Sequence, residues 1–174
     1  MPEQKQQILA FDWAFFFYWL MATTCGWLLG WLLLSTIALV TAGIGVGVMQ
    51  CVVLTRRIPQ AWRWVLTTTV GWMAGLGIAL FVVPPGVGLL SGAVIGATTG
   101  IAQWVLLRPL VRWAGWWIVV SVLAWSTALS LAPASGQVAL PPLVLSGAMS
   151  AVLTGFTLEL LLQNPRAEER TRGA

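Results

Sequence analysis

The 174-residue chain is 59% hydrophobic, charged at only 8% of its positions, and has a mean hydropathy of +0.88. Soluble domains carry roughly a quarter charged residues, so a water-solvated domain is excluded. The formal charge of +4 does not signal nucleic-acid binding, because the basic residues sit in small groups split by long apolar runs.

A polar head, MPEQKQQ, opens the chain and is followed by Phe, Trp and Tyr, not a small-residue cleavage site, so no cleavable signal is expected. A membrane helix needs about 20 apolar residues, and the punctuation divides the chain into six such spans. The first is expected from about Trp13 to Leu34 and the second from about Ile37 to Leu54. A basic turn from Thr55 to Gln60 follows. The third runs from about Trp62 to Phe81 and is closed by Pro84-Pro85-Gly86. The fourth covers about Val87 to Leu107, ending at Arg108, Pro109 and Arg112. The fifth covers about Trp113 to Leu131. After a loop from Pro133 to Pro142, the sixth runs from about Leu143 to Leu162 and stops at Asn164-Pro165. The expected fold is therefore all-α, a single transmembrane domain: a tail at 1–11, a six-helix bundle at 12–163 and a tail at 164–174.

The loops after spans two and four carry Arg56, Arg57, Arg63, Arg108 and Arg112, and the tails carry Lys5, Arg166, Arg170 and Arg172. The loops after spans one, three and five are uncharged. The positive-inside rule then places both termini in the cytoplasm and the chain in the cell membrane as a multi-pass protein.

The spans also repeat. Odd spans share Trp-x7-Trp, at Trp19/Trp27, Trp64/Trp72 and Trp117/Trp125. Even spans share a glycine stripe ending in glutamine: Gly43, Gly47 and Gln50 match Gly96, Gly100 and Gln103. The sixth span matches the fourth through Leu-Ser-Gly-Ala, at 90–93 and 145–148, with Gly155 answering Gly100. The pattern predicts three tandem two-helix hairpins of parallel orientation.

Each motif has two readings. Residues at i, i+4 and i+7 share one helix face, so the stripes let helices approach closely in lipid or leave a groove for a flat ligand. Gln50 and Gln103 lie about two turns inside the cytoplasmic boundary, where a polar amide must find a partner. They bridge helices or meet a ligand. Glu159 lies at a similar depth and is expected to pair with Arg57, Arg108 or Arg112. Trp62, Trp64, Trp113, Trp116 and Trp117 follow the basic turns and read as an interfacial aromatic belt. Trp27, Trp72 and Trp125 lie deeper, against the glycine stripe or against a bound ring.

Catalysis is not expected. Histidine is absent, and the acids other than Glu159 are Glu3, Asp12, Glu168 and Glu169, all near or beyond the span ends. Cys25 and Cys51 lack metal or redox spacing and read as packing residues.

The pattern G-x-x-x-G-x-x-Q followed by a Trp-rich span, at Gly43 to Trp72 and Gly96 to Trp125, resembles small membrane proteins of phototrophic bacteria. The six-helix size resembles an accessory subunit of reaction-centre–antenna complexes of filamentous green phototrophs. That resemblance implies a non-catalytic accessory or scaffold subunit whose partners are other integral membrane subunits and lipids. It implies bacteriochlorophyll, carotenoid or quinone held by Gly43, Gly47, Gln50, Gly96, Gly100, Gln103, Trp72, Trp104 and Trp125. The chain departs from the usual pigment pattern in lacking histidine, so an axial magnesium ligand would be Gln50, Gln103, a backbone carbonyl or water. The chain also resembles substrate-binding membrane components of vitamin transporters in size, helix count and Trp content, with deep tryptophans stacking a flat vitamin.

Overall fold

A computed structural model of the protein describes residues 11–33, 38–132 and 140–166. The tail with Lys5, the turn after the first span, most of the loop after the fifth, and the tail with Arg170 and Arg172 lie outside the described residues. The described residues form six helices: α1 (Trp13–Leu33), α2 (Ala38–Leu54), α3 (Trp62–Val82), α4 (Gly88–Leu107), α5 (Trp116–Leu131) and α6 (Leu140–Leu162).

All six are apolar around their whole circumference, the signature of helices buried in a core or in lipid. α1, α3, α4 and α6 are long and apolar enough to cross a membrane, and α2 and α5 are shorter apolar helices. Large apolar side chains are exposed along their outer faces, among them Val52, Val70, Leu80, Phe81 and Leu131. Lipid, not water, is the solvent that tolerates such a surface.

Two boundaries differ from expectation. Trp113, Ala114 and Gly115 form turns, and α5 begins only at Trp116. α6 begins at Leu140, three residues early, with Pro141 and Pro142 inside its first turn. Proline is tolerated there because the first helical N–H groups have no intrahelical acceptor. Between α3 and α4 the chain turns at Gly86, whose φ of +85° favours glycine.

The helices form a closed ring. Each packs on its neighbour in sequence, and α6 returns to pack on α1. Among the described residues only neighbouring helices bring their backbones together; across the ring, helices meet through side chains alone. Small residues set the close approaches. A Cβ on Gly26 of α1 would lie 2.6 Å from the Gly45 carbonyl oxygen of α2, and one on Gly71 of α3 would lie 2.6 Å from Thr99 Cα of α4. Gly92 and Gly96 of α4 face the backbone of α5. Such contacts supply the packing that lipid cannot drive by hydrophobicity.

Two ties hold the ring at one end. Arg57, in the α2–α3 turn, forms an ion pair with Asp12 at the start of α1. Beyond α6, Arg112 N–H donates to the Asn164 carbonyl and Arg166 N–H to the Leu110 carbonyl, both at 3.0 Å, so the end of the described chain pairs with the α4–α5 turn.

Candidate functional site: the tryptophan-filled centre

The centre of the ring is filled by the repeated tryptophans of the odd helices. Trp19, Trp64 and Trp117 form one layer, with ring centroids 6.0 Å (19–64), 6.3 Å (19–117) and 5.6 Å (64–117) apart. Trp27, Trp72 and Trp125 form a second, at 6.2 Å (27–72), 5.7 Å (27–125) and 4.6 Å (72–125). All six are at most 4% exposed. Most pairs are edge-to-face, the arrangement that opposes the positive edge of one ring to the negative face of the next. Below the first layer, Leu54, Leu107 and Leu161 are buried in the same cluster.

This corrects the assignment of Trp64 and Trp117 to the interfacial belt. Trp62, Trp113 and Trp116 are exposed as expected, but Trp64 and Trp117 are each 1% exposed and point inward. Two residues two positions apart on a helix lie about 200° apart around it, so Trp62 and Trp64 cannot share a surface.

The glutamines fasten the first layer. Gln50 Oε1 accepts the Trp64 indole N–H at 2.9 Å, and Gln50 Nε2 donates to Thr23 Oγ1 at 3.0 Å. Gln103 Oε1 accepts the Trp117 indole N–H at 2.9 Å, and Gln103 Nε2 donates to Thr68 Oγ1 at 2.8 Å. Each amide thus links a helix to both ring neighbours, α2 to α1 and α3, and α4 to α3 and α5. The threefold pattern breaks at the last corner. Extending the alignment of Gly100 with Gly155 places Leu158 where a third glutamine would stand. Trp19 donates instead to Thr154 Oγ1 of α6 at 3.0 Å, and the Ser121 hydroxyl, four residues after Trp117 as Thr68 is after Trp64, is buried without a partner.

The glycine stripes are covered by helices of the same chain. Gly43 lies against the Trp72 ring and Gly47 against Thr68. Gly96 lies against the α5 backbone, and a Cβ on Gly100 would lie 2.9 Å from Ser121 Cβ. Gly147 and Gly155 of α6 seat Trp27 and Trp19, with added Cβ atoms 2.9 and 2.6 Å from the respective Cδ1 atoms. The packing reading of the stripes accounts for every one of these neighbours. Trp72 donates to the Leu39 carbonyl at 2.7 Å, and its ring stacks edge-on with Trp125. Trp104 belongs to neither layer; it is half-buried, packs against the cluster around the first layer, and has the Arg108 guanidinium 5.4 Å over its ring.

Glu159 does not pair with an arginine. Its Oε1 accepts the backbone N–H of Asp12 and the Gln163 amide, both at 3.0 Å, while Oε2 is buried without a partner. It therefore caps the start of α1, where unpaired N–H groups and the helix dipole favour negative charge. Asp12 caps the same helix end, its Oδ1 accepting Phe15 N–H at 2.9 Å. That bond, followed by the Arg57 guanidinium, holds the Asp12 carboxyl below its ordinary value. No feature of the sequence marks a carboxylate whose partner is a backbone N–H, so this pairing cannot be read from residue types alone. Cys25 and Cys51 are free thiols, each half-buried.

No known protein family, curated protein or solved structure matches this chain.

Proposed function

We propose that this chain is a non-catalytic structural subunit of a larger membrane complex. In this reading all six helices cross the cell membrane as three hairpins, with both termini and the arginine-bearing turns in the cytoplasm. The observation that carries it is the filled centre. Six indoles occupy the space that a carrier or enzyme of this size would reserve for substrate, and both glutamine amides are engaged in holding those indoles. The one buried carboxylate among the described residues, Glu159, is engaged as a helix cap. What the chain offers to other molecules is its outer apolar surface, which suits neighbouring subunits and lipids.

The glycine–glutamine resemblance points this reading toward a photosynthetic reaction-centre–antenna complex. A bacteriochlorophyll, carotenoid or quinone would sit on the outside of the ring, since the stripes and the deep tryptophans pack against one another. Purification in gentle detergent, an absorption spectrum and mass spectrometry of co-purifying proteins test the proposal together. Other integral membrane subunits are expected in stoichiometric amount, and the chain isolated from them should be colourless. A lone chain that holds a small polar substrate or a pigment with Gln50 or Gln103 as ligand would overturn it.

A further inference from the structure

We propose that the groove between α1 and α2 binds an anionic phospholipid of the cytoplasmic leaflet, with the phosphate at Arg56 and Arg57 and an acyl chain along the groove. This inference rests on the membrane placement above. The groove has a volume of about 650 Å³ and runs along the outside of the ring between Tyr18, Met21 and Cys25 of α1 and Met49 and Val52 of α2. Its walls are apolar, and two methionines line it, side chains that adapt to a flexible ligand. Asp12, Arg56 and Arg57 stand at one end.

The charges at that end are arranged for an anion. Arg57 is half-committed: it pairs with Asp12 and its guanidinium lies 5.0 Å over the Phe15 ring. Arg56 is exposed and, among the described residues, makes no hydrogen bond, ion pair or ring contact. Two arginines against one aspartate leave a net positive mouth on an apolar groove. An acyl chain with a negative headgroup satisfies both parts. A free soluble anion would leave the groove unfilled, and a zwitterionic headgroup would bring its own cation to the arginines.

The internal repeat shows that this mouth is not a general property of the hairpins. The stretch Leu54 to Trp64 aligns with Leu107 to Trp117, leucine to leucine and tryptophan to tryptophan. At the positions of Arg56 and Arg57 the second hairpin has Pro109 and Leu110. The cationic pair is therefore peculiar to the α1–α2 edge, where the groove lies.

Native mass spectrometry of the full chain in detergent micelles tests this, with added phosphatidylglycerol or phosphatidylcholine of identical acyl chains and with inorganic phosphate as competitor. One phosphatidylglycerol should be retained in preference to phosphatidylcholine. Arg56→Gln should lower its retention about fivefold, the effect of one surface arginine on an anionic lipid. Asp12→Asn keeps a capping side chain while removing the opposing charge, and should raise retention. Arg108→Gln, in the second hairpin, should leave it unchanged. Equal retention of the two lipids, equal losses in Arg56→Gln and Arg108→Gln, or displacement of the lipid by phosphate alone would overturn the site. Release of the chain from membranes by an alkaline wash would overturn the membrane reading itself, whereas a membrane-retained chain with no lipid preference overturns only the groove.

Discussion

The first two corners of the tryptophan layer and the third solve the same problem differently. At Trp64 and Trp117 an amide from the preceding helix accepts the indole N–H and passes a second hydrogen bond to the helix before it. At Trp19 the acceptor is the Thr154 hydroxyl of α6, Leu158 fills the amide position, and Ser121 goes without a partner. The layer keeps its triangular form nonetheless, and Trp19 stands only slightly farther from its neighbours than they stand from each other. The triangle is thus set by ring packing, while the amides add strength and fix which way the Trp64 and Trp117 N–H groups point. One corner can lose its amide if a hydroxyl lies within reach.

The sharpest way to break this comparison is to convert an amide corner into the third kind. Gln103→Leu leaves the Trp117 N–H and the Thr68 hydroxyl buried and unpaired. Stability against denaturing detergent should fall by about 1–3 kcal/mol, from two intramembrane hydrogen bonds and their stranded partners. Gln50→Leu should behave alike through Trp64 and Thr23. Combining Gln103→Leu with Trp117→Phe should cost less than the sum of the two. Strict additivity would show that the Gln103–Trp117 bond does not contribute.

The reverse conversion has the opposite sign. In Leu158→Gln the new amide is placed to accept from Trp19 and donate to the orphaned Ser121, and unfolding should become harder by about 0.5–1.5 kcal/mol. The gain should vanish in the Ser121→Ala background. Destabilisation in both backgrounds would mean that the third corner is not geometrically equivalent to the other two.

The smallest effect lies at the edge of that corner, where Asp12 and Glu159 cap α1. The Phe15 N–H first, and Arg57 second, hold the Asp12 carboxyl below its ordinary range. A lowered folded value stabilises the protein above the unfolded carboxylate pKa of about 4, and that contribution is lost as pH falls through the folded value. Because Asp12 and Arg57 are both over a third exposed, the pair is worth about 0.5 kcal/mol or less. Melting curves of the protein and Asp12→Asn should differ slightly at neutral pH and converge as acid takes the Asp12 carboxyl through its lowered folded value. A gap that widens with acid would exclude the cap.

The helices, the glycine stripes and the repeated glutamines are legible in the sequence because each is a periodic signal along one element. Trp19, Trp64 and Trp117 are visible there as a repeat, yet their direction is not. Facing lipid or facing the centre is a matter of helix phase, and neighbouring tryptophans at 62 and 64 or at 116 and 117 mask it. The closure of α6 on α1 is beyond reach for a different reason. It depends on pairs such as Trp27 with Ser146 and Asp12 with Glu159, which are far apart in the chain and, in the second case, involve a backbone atom that every residue has. For the glutamines the sequence leaves two outcomes open, a ligand or a neighbouring helix, and only the positions of the odd helices distinguish them.

The ring closure also bears on how the protein is made. α1 emerges from the ribosome well before α6, but the acceptors for its two central indoles, Ser146 and Thr154, follow Trp27 and Trp19 by 119 and 135 residues. At about 5–20 residues per second of synthesis, α1 waits on the order of ten seconds in the bilayer with both N–H groups unmatched. During that interval Trp19 and Trp27 are open to insertion chaperones or to another nascent helix. A chain halted before α6 would leave the translocon as an open ring with a polar seam, a form that membrane quality-control proteases can distinguish from the finished protein.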